Sequence, residues 1–164
     1  MKTLSDAFEH TLKDLYFAEN TVVKALQTAA GAATQKDLKE ALKRHADETA
    51  QDVEILRAVF QSIGKKPEGE KCDAIEGLIQ ECKGVIDEAT GTVARNASIL
   101  GCCQAIEHYE IARAGTLREW AKALGNVEGH ALLTQILDDH KAANHKLSHL
   151  AITEINRPKV ERPR

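Results

Sequence analysis

An all-α fold is what this chain predicts, and three observations carry that reading. The three prolines stand at positions 67, 158 and 163, so the stretch from Glu68 to Arg157 contains none and is free to be helical. Aromatic residues make up only 4% of the chain, too few for the packed faces of a β-sandwich. Apolar residues recur at alternating spacings of three and four over long segments, which is the period of one helix face and not of a strand. At 164 residues the chain is one domain by length, large enough to bury a core without disulfides.

The first helix is expected from about Thr3 to Ala33, where Phe8, Leu12, Leu15, Val22 and Leu26 keep one apolar stripe. Thr3 or Ser5 can cap it, and Asp6 and Glu9 suit the positive end of its dipole. The second runs from about Lys36 to Ile63 on Leu38, Leu42, Leu56 and Val59, with Gly64 at the C-cap and Pro67 beyond it. Lys65 to Lys71 is a polar link. A shorter amphipathic helix follows from Asp73 to about Ala89, on Ile75, Leu78, Ile79, Cys82 and Ile86. The fourth extends from about Thr92 to Leu124 and closes at Gly125-Asn126; the last covers about His130 to Ile155 and ends at Arg157-Pro158. The long helices each span roughly 38 to 50 Å. Two hairpins joined by a long connection that carries a short helix are the plan of a ferritin-like four-helix bundle with one crossover. Helix order alone fits an unrelated up-down bundle with an added helix equally well. The bundle is assigned to residues 1–156 and a flexible, basic, proline-bearing tail to residues 157–164.

A formal charge of −3 and a pI near 6.2 give no electrostatic footprint for nucleic acid or an anionic membrane. No apolar run is long enough to span a bilayer. The N-terminus meets Asp6 and Glu9 early and has no apolar leader, so a cytoplasmic protein with reduced thiols is expected. The four cysteines show no C-x-x-C or Cys/His zinc spacing and read as small core residues, with thiol redox a minor alternative. Gly-rich phosphate loops and a nucleophile elbow are absent, and no residue is assigned as a general acid or base.

The informative positions are those where the apolar stripes break. Glu19 interrupts the first stripe. His45 and Asp52 share the second, with Glu48 on its flank. Glu110 lies on the fourth with Glu107 beside it, and Arg113, one turn on, is placed to neutralise a carboxylate. His140 faces inward on the last, with Asp139 beside it. Glu19 and Glu48 lie symmetrically about the first turn, and Glu110 and His140 about Gly125. Each is about 15 residues, roughly 22 Å, from its own turn, so both hairpins deliver polar groups to one central layer.

Several buried carboxylates in one layer repel one another and cost several kcal/mol each unless protonated or paired with a cation. Carboxylate and imidazole donors suit iron or manganese, with zinc as an alternative; calcium and magnesium want oxygen alone. Di-iron bundle proteins place a Glu on each of two helices and a Glu-x-x-His on each of the other two. The fit here is partial, because Gln51 stands where the second helix would need its histidine and Asp139-His140 are adjacent.

Leu15-Tyr16-Phe17-Ala18-Glu19, His45-Ala46-Asp47-Glu48-Thr49, Cys72-Asp73-Ala74-Ile75-Glu76-Gly77 and Ala105-Ile106-Glu107-His108-Tyr109-Glu110-Ile111 resemble the YciE/YciF-type ferritin-like stress proteins of bacteria over about residues 3–156. The resemblance implies a ferritin-like bundle, often a homodimer, with rubrerythrin-like relatives and a role in stress response. It carries the family's carboxylates to Glu19, Glu48, Glu107 and Glu110, and matches His45. It departs at His140, where the family commonly has glutamate, and at Asp52, where it commonly has glutamine. One carboxylate is thereby lost and another gained. The expected protein holds one or two iron or manganese ions and has a redox, peroxide or metal-handling role under stress. A non-enzymatic structural or interaction protein with an incidental or absent metal is the rival reading, and iron storage a weaker third.

Overall fold

The computed structural model describes residues 1–157. Five α-helices follow one another: α1 (Leu4–Ala32), α2 (Lys36–Ser62), α3 (Asp73–Glu88), α4 (Thr92–Ala123) and α5 (Val127–Leu150), and among the described residues there is no strand. Of the expected tail, residues 158–164 lie outside the described residues.

Local chemistry sets the helix ends. Thr3 and Asp6 form a capping box at the start of α1. Gly64 at φ +68° and Gly125 at φ +73° supply the left-handed turns after α2 and α4. The last helix starts at Val127, three residues earlier than the apolar pattern suggests, because the Asn126 side chain accepts the Gly129 amide at 2.9 Å. Its final turn, Ala151–Ile155, is π-helical.

α1 packs on α2, α4 on α5, and these hairpins meet through α1–α4 and α2–α5 contacts. Asparagines join them at both ends. Asn96 accepts the Thr34 amide and donates to the Thr34 hydroxyl, both at 2.9 Å. At the opposite end Asn126 donates to the Ser62 hydroxyl at 2.8 Å. The connection from α2 to α4 thus travels the length of the bundle. Its first part lies against α1, with Lys13 paired to Glu68 at 2.9 Å and Gly69 seated over Phe17. Its second part, α3, packs on α4. This is the ferritin-like arrangement with a helix in the crossover.

The apolar core is divided in two. One half gathers Val22, Leu26, Leu38, Leu42, Ile99 and Leu147; the other gathers Phe8, Leu12, Leu56, Phe60, Leu117 and Leu133. Tyr16 meets Phe60 edge-on with ring centroids 5.6 Å apart. On every long helix the switch from one half to the other falls at the polar positions 19, 45–52, 107–110 and 140. Among the described residues no helix is long and apolar enough to cross a membrane.

Candidate metal centre

Glu19, Glu107 and Glu110 are fully buried, and His140, His45 and Asp52 are nearly so. Equal distance from the turns brings α1, α2, α4 and α5 together here, as the sequence depth requires. One carboxylate oxygen each from Glu19 and Glu110 and one ring nitrogen of His140 all lie within 4.8 Å of one another. His140 occupies the middle: Nε2 is 2.9 Å from Glu19 Oε1, and Nδ1 is 3.3 Å from Glu107 Oε2 and 3.7 Å from Glu110 Oε2. The second oxygen of Glu107 approaches His45 Nε2. Thr49 closes the layer, its hydroxyl donating to the His45 carbonyl at 2.9 Å.

The charges do not balance. Four buried carboxyl groups face two imidazoles, so two negative charges stay unmatched even with both rings protonated. Burial, reinforced by the charge of Glu19, raises Glu110 well above the usual carboxyl range. The same two causes push Asp52 up to about 8. Burial works against a charged His140, but Glu19, Glu110 and the contact with Glu107 outweigh it and hold its pKa well above normal. Glu107 shows the converse: its burial is overcome by His140 and His45, which keep it below the usual range.

Hydrogen bonds are also missing. Glu19 Oε2, both oxygens of Glu110 and His45 Nδ1 are buried without a hydrogen-bond partner. Orphaned acceptors of this kind are rare in folded proteins, and each costs roughly 1–3 kcal/mol, more when charged. Unpaired polar atoms brought together from three helices in a buried layer are what a cation requires. The oxygen-plus-imidazole donor set fits iron, manganese or zinc.

Three side chains singled out in the sequence stand apart from this cluster. Glu48 is half exposed and paired with Lys146 Nζ at 2.9 Å. Asp139 is exposed. Arg113 lies over the Tyr109 ring at 5.2 Å from its centroid, not against the buried carboxylates. Thr49 and Asn96, both buried polar residues that organise the bundle, were not singled out. Thr49 sits one turn from His45 on the same stripe, which is the signal that would have found it.

A family profile described as a domain of unknown function, DUF892, matches residues 3–159. The chain belongs to the DUF892 family. Protein YciF of Escherichia coli K12 is 38% identical over 158 residues, covering 96% of this chain and 95% of that protein. The crystal structure of the E. coli stress protein YciF superposes with a TM-score of 0.91 at 38% identity, over 96% of this chain and all of that one. YcfI of Rhodopseudomonas palustris, for which a structural role has been suggested, superposes with a TM-score of 0.88 at 42% identity, over 90% of this chain and 94% of that one. The YciF-type resemblance seen in the residue patterns is therefore correct. Membership in DUF892 fixes the architecture and leaves the chemistry to the side chains.

Proposed function

We propose that the chain is a metal-binding bundle protein of the stress response, holding a transition-metal ion between Glu19, Glu110 and His140. Glu107, His45 and Asp52 line the same layer and offer donors for a second ion. The observation that carries the reading is the set of buried carboxylate oxygens with no partner. Iron is the first expectation on donor chemistry, with manganese next and zinc as an alternative. Iron or manganese bound there supplies one-electron redox chemistry. The chain's own groups exclude bulk water and fix the donors, and before an ion binds Glu110 and Asp52 hold protons.

Access is consistent with this role. A groove of about 320 Å³ between α2 and α5 reaches His45 from the surface, with the Glu48–Lys146 pair and His145 and His149 along it. The stress assignment rests on the 38% identity to YciF, whose crystal structure is described as that of a stress protein.

The second reading, a structural protein whose polar layer sets helix register, is favoured by the contacts His140 already makes to Glu19 and Glu107. Elemental analysis of protein purified without chelator separates the two. At least one iron or manganese per chain, lost in Glu19→Gln and Glu110→Gln, supports the metal reading. Metal-free protein whose Tm is unchanged by added iron, manganese or zinc supports the structural one.

A further inference from the structure

Away from the α2–α5 groove, α3 packs on α4 but barely touches α1. A slot of about 290 Å³ is left open there, with α1 and α3 as its sides and α4 as its floor. Small residues on α1 keep it open. Ala25, Ala29 and Ala32 stand across from Ile79 and Ile86 of α3, which stay only half-buried. Buried Ile99 and Ile106 supply the floor. Thr21 and Thr28 also border the slot, but their hydroxyls donate to the Phe17 and Lys24 carbonyls at 2.8 and 3.0 Å. Cys82, Cys102 and Cys103 complete the wall as small, weakly polar groups.

Shape and charge together specify an occupant. Along α1 the slot runs from Thr21 to Ala32, about 16 Å, so its volume is drawn out along the helices and not gathered into a chamber. A helix of a second copy, about 10–12 Å across with its side chains, is too wide to enter. Charge sits at the rim. Lys24 on α1 and Lys83 on α3 are exposed on opposite lips, and neither is held in an ion pair among the described residues. Asp87, one turn from Lys83, is the single acidic residue of the lining and can offset only one of the two. Lysine stems extend an apolar wall while their ammonium groups stay in water. Apolar walls with a few polar groups at one edge are the usual make-up of a small-molecule site.

We propose that this slot binds an unbranched fatty acid of medium chain length, its tail between α1 and α3 and its carboxylate held by Lys24 and Lys83. The tail takes the place of the side chains that Ala25, Ala29 and Ala32 lack. The consequence is mechanical. α3 contributes only Ile75 and Cys82 to the buried set, so a ligand that joins it to α1 secures the least embedded helix of the bundle. This inference goes beyond the metal reading and does not depend on an ion in the polar layer.

The test titrates the full chain, held in chelator, with decanoate below its micelle-forming concentration, followed by calorimetry and by amide hydrogen exchange. The expected result is one decanoate per chain, with exchange slowed in α3 and in the second half of α1. Decylamine, with the same tail and the opposite charge, binds weaker by roughly tenfold. Lys24→Glu combined with Lys83→Glu, both at exposed positions, reverses that preference. Ala29→Phe fills the slot and abolishes decanoate binding; should it fail to fold, the charge reversal still decides the matter. Absence of saturable binding, equal affinity for decanoate and decylamine, decanoate binding that Ala29→Phe leaves intact, or a dimer of the chain that Ala29→Phe dissociates overturns the proposal.

Discussion

Replacing Glu110 with glutamine tests how the polar layer manages its charge. Glu110 is fully buried, both its oxygens lack partners, and burial together with Glu19 raises its pKa well above normal. The folded protein therefore keeps a proton there that the unfolded chain releases near pH ~4.3. Between these two pKa values folding takes up a proton, so stability falls as pH rises, by at most about 1.4 kcal/mol per unit. From pH 5 to pH 8 the ceiling is about 4 kcal/mol. Glutamine keeps the shape and has no proton to hold, so E110Q loses this slope. In chelator, E110Q is expected to exceed wild type at pH 8, by up to that ceiling of about 4 kcal/mol. For a chain of this length the ceiling is roughly 15 °C in Tm. The two should nearly coincide at pH 5. Thermal unfolding followed by circular dichroism across this range reads both numbers. Added manganese should then reverse the ranking, raising wild type and leaving E110Q unmoved. An E110Q protein less stable than wild type at pH 8 in chelator refutes the reasoning, because it means that the His140 ring, 3.7 Å away, satisfies an ionised Glu110.

Asp52→Asn should flatten the pH dependence in a narrower window: Asp52 costs stability as pH rises from about 4 to its folded value of about 8, and above that wild type and variant run parallel. Unfolding in urea at several pH values checks this. Manganese binding measured by calorimetry in two buffers of different ionisation enthalpy should release protons, because Glu110 and His140 are protonated in the free protein. Glu19→Gln and His140→Ala should abolish that binding. Glu48→Ala, which removes a half-exposed partner of Lys146, should change the affinity by no more than a few-fold and stability by under about 1 kcal/mol. Phe60→Ala empties a fully buried site against Tyr16 and should cost about 3–5 kcal/mol in urea unfolding.

Much of the fold was legible because its signals are local. The three-and-four spacing of Phe8, Leu12 and Leu15, the Gly64 and Gly125 turns and the proline-free stretch each act within a few residues. The depth of the polar layer was legible too, since rise per residue is fixed and hairpin partners must return to the same height. Which flanking side chains turn inward was not. Glu48 and Asp139 lie next to the buried stripe, and one residue is about 100° of rotation. In α2 the inward set is His45, Thr49 and Asp52, which leaves Glu48 at the rim within reach of Lys146. Glu107 goes the other way: beside the stripe in the pattern, it is fully buried, because α4 meets both α1 and α5 and its enclosed arc is wide. The apolar residues of α4 are spread around the helix for a related reason, since α3 covers another of its faces.

The sequence by itself determined the helices, their turns, the short helix between the two hairpins and a band of carboxylates and imidazoles at mid-height, all of which follow from periodicity and chain length. Only the tertiary structure decided that Glu19, Glu110 and His140 converge while Glu48 and Asp139 lie at the rim, and that the connection from α2 to α4 runs the length of the bundle. Rotation of a helix about its own axis, and the meeting of residues on separate helices, are set by side chains interlocking across interfaces. That information is spread over every packed neighbour and is not written in the spacing of any one segment.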